Sequence, residues 1–203
     1  DGDDLMDVTY ARKMWEAAER ENADLVVCGH NRMLESGTIV ERHCPVYTKT
    51  GVVGNDDRYF PFQGRVVPWT GCLLYRTDYL KNNSLQYQRG CTNSEDIEFI
   101  WKAWILAEKI TFVPEILVSY ILRSGTASRT STLKRFHTIG ALRRLSSFLK
   151  KHNASMELIE YFDSKVIPES FITVLSSLLY EGFPKKEVLG LLRNPAVKRE
   201  IAK

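Results

Sequence analysis

The stretch Ala23-Asp24-Leu25-Val26-Val27-Cys28-Gly29, residues 23–29, decides the fold. Its unbroken apolar run, rich in β-branched valine, predicts a buried strand. Residues 8–22 before it have the spacing of an amphipathic helix, with charged residues opposite an apolar face. We expect that face to carry Ala11, Met14, Trp15 and Ala18. A helix followed by a buried strand is typical of an α/β domain.

The same alternation continues to about residue 130. Turn residues Glu35-Ser36-Gly37 predict a hairpin between residues 31–34 and 38–41. Further strands are predicted at residues 71–75, 110–113 and 117–121, with Pro114 separating the last two, and helices from Thr77 and over residues 95–108. Residues 44–64 lack periodicity and predict a long loop. We therefore assign residues 1–130 to an α/β domain.

Only helical patterns follow, so residues 131–203 are predicted to be an all-α C-terminal region. One helical face carries Phe136, Ile139, Leu142, Leu145 and Leu149. Pro184 marks another helix start. Basic residues lie in or beside the first helix: Lys134, Arg135, Arg143, Arg144, Lys150 and Lys151. They are either a solvated helix face or a peripheral contact with an anionic membrane.

The amino-acid composition bears on the class of protein, on a nucleic-acid partner and on the redox compartment. The 203 residues are 44% hydrophobic and 26% charged, as in ordinary globular proteins. The net charge of +3 is too small to indicate a nucleic-acid partner. Scattered cysteines without a Cys-x-x-Cys spacing favour a reducing, cytoplasmic compartment over a zinc or disulfide framework.

The chain begins with an acidic cluster, Asp1-Gly2-Asp3-Asp4. Carboxylates on a tight turn can hold Mn²⁺ or Mg²⁺ against a diphosphate, since phosphate oxygens complete the coordination shell. We predict Asp1 and Asp3 as metal ligands and Asp4 as a further contact to the bound diphosphate and metal. The alternative is a polar turn that caps the next helix.

A second acidic pair, Glu95 and Asp96, is predicted in the first turn of a helix with Ser94 as its N-cap. Asp96 is our candidate general base, with Glu95 in support. The alternative is two acidic residues stabilised by the helix dipole. Trp69 is predicted either to stack on a substrate or to fill the core. Arg123 is predicted either to contact the diphosphate or to lie on the surface.

Taken in order, these segments resemble glycosyltransferase family 2, the GT-A type of nucleotide-sugar transferase. The matching segments are Asp1–Leu5, Ala23–Gly29, Val67–Thr77, Ser94–Phe99, Ile110–Pro114 and Tyr120–Arg123. The resemblance implies a partial GT-A fold, a Rossmann-like mixed sheet with flanking helices. It also implies that the N-terminal portion that binds the nucleotide base is absent from this sequence.

The resemblance further implies an inverting transfer, dependent on Mn²⁺ or Mg²⁺, from a nucleotide sugar (most often UDP-linked) to a glycan or lipid-linked acceptor. It implies a role in cell-surface polysaccharide synthesis, in the cytoplasm or at the inner face of the plasma membrane. Two alternatives remain open. The chain could be a non-catalytic glycan-binding or interaction module, or a phosphotransferase with Asp1 as nucleophile, although the sequence lacks the threonine expected for the latter.

Overall fold

The computed structural model describes residues 4–45, 51–52, 68–123 and 132–195. The chain forms two compact units. The first comprises Asp1–Tyr87 with Phe99–Ser124, and the second comprises Gln88–Glu98 with Gly125–Lys203. A short stretch from the middle of the chain thus belongs to the unit that holds the C-terminal helices. The predicted domain boundary at residue 130 stays a prediction.

In the residues that the structure describes, the first unit is built on a mixed sheet of six strands. They are β1 (Leu5–Met6), β2 (Leu25–Leu34), β3 (Ile39–His43), β4 (Gly51–Val52), β5 (Leu73–Tyr75) and β6 (Lys109–Leu122). The main strand order is β1-β6-β2-β3, with β4 beside β6 and β5 beside β2. The pair β2–β6 is parallel and the other pairs are antiparallel. This confirms the α/β class with a mixed sheet.

Helices α1 (Tyr10–Glu21), α2 (Thr77–Asn82) and the greater part of α3 (Glu95–Leu106) flank this sheet. The predicted face of α1 is partly wrong. Met14 and Ala17 are the buried residues of α1, whereas Ala11 is exposed and Trp15 is 60% exposed. Met14 and Ala17 therefore define a buried face that is rotated about the helix axis from the predicted one. The prediction placed Trp15 on the buried face because its indole is large and apolar.

Strand β6 corrects a second prediction, because one continuous strand runs through Pro114. Its register against β2 shifts where Cys28 pairs with Val113 and Gly29 with Ile116. Proline lacks an N–H group and is tolerated in a sheet at such an irregularity. Gly29 permits the close approach, since a Cβ atom there would lie 2.9 Å from the carbonyl oxygen of His43.

The second unit is helical, as predicted. It contains α4 (His137–Lys151), α5 (Met156–Tyr161), α6 (Ile167–Tyr180) and α7 (Lys185–Arg193), with a wide π-helical turn over Phe162–Val166. The predicted face is confirmed for Ile139, Leu142, Leu145 and Leu149, which are buried, whereas Phe136 precedes α4 and is half-buried. Pro184 directly precedes α7. In the part of the chain that the structure describes, no helix is long and apolar enough to cross a membrane.

Candidate active site

Of the predicted acidic cluster, Asp1 and Asp3 lie outside the described residues, whereas Asp4 is described. The Asp4 Oδ1 atom accepts a hydrogen bond of 3.0 Å from the backbone N–H of Ile121. The following residue, Leu5, pairs with Ser119 of β6. Asp4 is therefore fixed beside the carboxyl-terminal end of β6.

Arg123 follows β6 directly, two residues beyond Ile121. Its Nε atom lies 3.7 Å from Oε1 of Glu35, the residue that follows β2. Because β2 and β6 are parallel, their carboxyl ends meet at one edge of the sheet. Ligands of open α/β sheets bind outside that edge. The structure thus brings Asp4 and Arg123 to the edge where a ligand site is expected.

Trp69 lies where the chain enters a short 3₁₀ turn over Thr70–Cys72. Its half-buried indole has ring-centroid distances of 5.1 Å to Tyr120 and 5.8 Å to His30. A Cβ atom at Gly71 would lie 2.3 Å from Cζ3 of this indole, so the turn needs glycine there. Trp69 belongs to an aromatic cluster on the sheet but retains some exposure, and both of its predicted roles stay open.

Sequence reasoning missed the polar residues that surround this aromatic cluster. His30 on β2 pairs with His43 on β3, and their ring centroids are 4.8 Å apart. His43 Nε2 lies 3.0 Å from Glu41 Oε1, and Arg32 donates to Glu41 Oε2 at 2.8 Å. The hairpin between β2 and β3 was predicted. Had its register been predicted too, it would have placed His30 opposite His43.

His30 is 3% exposed, and this burial, reinforced by the neighbouring His43, lowers its pKa to about 4. The ring is consequently neutral near pH 7. Within the described ranges, no group of three or more His, Cys, Asp or Glu side chains could hold a metal ion. The predicted metal ligands Asp1 and Asp3 are not among those ranges.

Glu95 and Asp96 occupy the first turn of α3 and belong to the second unit. Both are half-buried, and Asp96 Oδ1 accepts the N–H of Ile97 at 2.8 Å. A carboxylate in this position is favoured by the positive end of the helix dipole.

Ser94 occupies the predicted N-cap position, because its carbonyl oxygen accepts the N–H of Glu98 at 3.1 Å, but its side chain does not perform the predicted capping. Ser94 has a φ of 62°, in the left-handed region, whereas a capping serine has an extended backbone. Its hydroxyl bonds Asn93 Oδ1 at 3.3 Å and Thr138 Oγ1 at 2.8 Å. Left-handed non-glycine residues are held in place by surrounding contacts and cluster at functional sites.

Glu98, one turn beyond Glu95, is the most unusual residue of this region, because it is a charged side chain only 2% exposed. Arg144 of α4 donates to it through Nε at 3.0 Å to each oxygen and through a terminal nitrogen at 2.6 Å to Oε2. This hydrogen bonding raises the pKa of Arg144 above its ordinary value. The pair was not predicted, since it joins residues far apart in sequence.

Other basic residues of the helical region are also paired. Arg135 makes a bidentate contact with Glu181, at 2.8 and 2.9 Å, and Lys150 lies 2.7 Å from Asp163. Lys150 and Asp163 line a cavity of about 460 Å³. Ser146 also donates to Asp163, at 2.6 Å, so the polar groups of this cavity largely satisfy one another.

The fold is similar to that of TarS from S. aureus. Against TarS 1–349 in complex with UDP-GlcNAc, the TM-score is 0.58 at 15% sequence identity, covering 99% of this chain and 53% of that chain. Another TarS 1–349 structure gives a TM-score of 0.54 at 15% identity, with 98% and 51% covered. A further TarS structure gives 0.55 at 16% identity, with 100% and 37% covered.

This likeness shows a partial glycosyltransferase fold with a helical C-terminal part. The chain spans about half or less of the length of the TarS chains that it matches. No protein-family model and no curated protein sequence matches it.

Proposed function

We propose that this chain is the acceptor-side and catalytic part of an inverting, metal-dependent glycosyltransferase of family 2. It transfers a sugar from a UDP-sugar to a hydroxyl group of a glycan or lipid-linked acceptor during cell-surface polysaccharide synthesis. The observation that carries the proposal is the likeness of nearly the whole chain to TarS, which was crystallised with UDP-GlcNAc.

The chemistry assigned to the chain is a single displacement. Asp96 takes the proton from the acceptor hydroxyl as that oxygen attacks the anomeric carbon, and the configuration inverts. Glu95 precedes Asp96 in the same helical turn and supports it in this role. Both side chains are half-buried at the start of α3, within reach of a small substrate.

On the donor side, the proposal assigns the diphosphate to the sheet edge described above. Arg123 contacts the phosphate oxygens, and Asp4 holds the acidic segment against β6 through Ile121. Asp1 and Asp3 would bind Mn²⁺ or Mg²⁺, which neutralises charge on the leaving diphosphate. Trp69 would provide an apolar ring face for the acceptor sugar.

The test is turnover of UDP-GlcNAc, followed as UDP release by the full-length gene product in the presence of Mn²⁺ and envelope polysaccharide. Asp96→Asn should lower kcat by about 10²- to 10⁴-fold, the usual contribution of a general base. The melting temperature and the donor-induced thermal shift should remain, because the amide can keep the contact with Ile97. Glu95→Gln is the matched control, and its kcat should fall far less than that of Asp96→Asn. Full turnover in Asp96→Asn would assign the base elsewhere.

A second candidate is a non-catalytic glycan-binding module, which the half-exposed Trp69 beside Tyr120 favours. The two functions differ in their dependence on Asp96. A binding module retains glycan affinity in Asp96→Asn, loses it in Trp69→Ala, and releases no UDP in either form.

The proposal places the protein in the cytoplasm, with peripheral membrane contact through the basic helical region as an optional part. The ion pairs of Arg135, Arg144 and Lys150 reduce the positive charge available to a lipid surface. Co-sedimentation with phosphatidylserine vesicles, compared with phosphatidylcholine vesicles, tests this part. Equal binding to both would exclude an electrostatic contact.

A further inference from the structure

Residues 91–98, hereafter the 91–98 turn, contain Glu95 and Asp96 and belong to the helical unit. The turn does not have the geometry of a self-sufficient helix start. Ser94 is left-handed, and its hydroxyl does not cap α3. A left-handed backbone is unfavourable for a residue other than glycine, so contacts from elsewhere must hold Ser94 in this conformation.

Those contacts come from α4, at both ends of the turn. Near the N-terminal end of the turn, His137 Nδ1 accepts the N–H of Thr92 at 3.1 Å. Thr138 donates to Asn93 Oδ1 at 2.8 Å and bonds the Ser94 hydroxyl at the same distance. These contacts fix the residues directly before Glu95.

At its C-terminal end, the turn is held through Glu98, to which Arg144 makes the three short contacts. Arg144 also approaches Sγ of Cys91, the first residue of the turn, at 3.5 Å. Arg144 therefore reaches the last and the first residue of the turn. The Glu98 carboxylate is almost fully buried, and a buried charge strongly requires its partner. A planar, bidentate guanidinium fixes direction as well as distance, which a lysine cannot do.

We infer that Arg144 is a positioning residue for the candidate base. By clamping Glu98 it sets the orientation of the first turn of α3 and thereby the placement of the Asp96 carboxylate. Arg144 touches neither substrate nor reacting atoms, and its role rests on the proposed function of Asp96. The C-terminal helices would then be part of the catalytic apparatus rather than a cover for it.

The first measurement is hydrogen–deuterium exchange by mass spectrometry, which does not depend on any activity. In Arg144→Ala, the amides of the 91–98 turn should exchange about tenfold faster or more than in the wild type, because the turn opens more often. Glu181→Ala is the matched control. It breaks a second arginine–glutamate pair of the same unit, in which one terminal nitrogen of Arg135 contacts both carboxylate oxygens, and should leave exchange of the 91–98 turn unchanged.

The second measurement is turnover of UDP-GlcNAc by the full-length gene product. Arg144→Ala should lower kcat by about 10- to 100-fold with the donor KM within about twofold of wild type, since a small displacement of a reacting group has this effect. Arg144→Lys should recover part of kcat, and Glu181→Ala should keep the wild-type value. If Arg144→Ala fails to fold, Arg144→Lys decides the question by the same two measurements.

Unchanged exchange of the turn in the Arg144 variants would refute the inference. Faster exchange with an unchanged kcat would refute it too, because Arg144 would then be only structural. Full turnover in Asp96→Asn, measured in parallel, would refute the proposed function instead. In that case the exchange result alone decides whether Arg144 fixes the turn.

Discussion

The two compact units hold their candidate functional side chains by different forces. In the first unit, Trp69 and His30 are fixed by apolar and aromatic contacts on a sheet whose core strand, β2, is buried through Leu25, Val26 and Val27. In the second unit, the turn with Glu95 and Asp96 is fixed by a buried ion pair and a set of short polar contacts. Apolar packing tolerates variation in detail, whereas a buried ion pair fixes one geometry and is costly when one partner is lost.

The largest effect expected from this contrast is on the ion pair. Arg144→Ala leaves Glu98, 2% exposed, with a buried charge, and should cost about 3–5 kcal/mol of unfolding free energy. Glu98→Gln should cost less, about 2 kcal/mol, since Arg144 is 37% exposed and can be hydrated. Urea unfolding of both variants measures the difference. Equal costs would contradict the burial asymmetry.

A substitution at Gly71 tests the aromatic packing of Trp69 in the first unit. Gly71→Ala places a methyl group within 2.3 Å of the Trp69 ring, so the indole must move, at a cost of up to about 3 kcal/mol. Near-ultraviolet circular dichroism should report the changed environment of the indole. Gly190→Ala in α7 is the matched control, because a Cβ there meets nothing within 4 Å. It should be neutral or slightly stabilising.

A smaller effect concerns pH and His30. Its folded-state pKa of about 4 lies below the ordinary value of 6.5, so the unfolded chain binds a proton first as pH falls. Stability contributed by the neutral ring is therefore present above about pH 6.5 and is lost as pH falls toward 4. Between pH 7 and pH 5 the loss should be about 2 kcal/mol.

His30→Gln should flatten this part of the pH dependence of urea unfolding. The same slope in wild type and variant would show that other groups, and not His30, bind the proton. Neither result bears on Arg144 of the second unit, because its guanidinium stays charged over this range.

Features local in sequence were predictable, because they follow from spacing alone. Helix α4 with its buried leucines and the β2–β3 hairpin belong to this class. The two-residue strands β1 and β4 were not predicted, and β4 lies within residues 44–64, which were predicted to be a loop. Pro114 shows where a local rule fails. It was expected to end a strand, but Gly29 on the partner strand provides the irregularity that accommodates it.

The candidate site likewise has features that were predictable from local sequence and contacts that were not. The types of residue at Asp4, Trp69, Asp96 and Arg123 were chosen from the sequence, and their catalytic roles remain proposals. The His30–His43 contact depends on strand register, and the Glu98–Arg144 pair depends on how helices meet. No periodicity encodes either contact, since each joins residues on different elements. Such contacts require the folded chain.

The parallel pairing of β2 with β6 also sets the order in which the protein can assemble. Leu25 pairs with Ile110, so the central strand must wait for a partner that is synthesised much later. At about 5–20 residues per second, the ribosome needs roughly 4 to 17 seconds to complete that interval. The hairpin with β3 can form at once, yet the opposite edge of β2 stays an open row of amide and carbonyl groups. The nascent chain is therefore most exposed to misassociation along this ten-residue strand in that period.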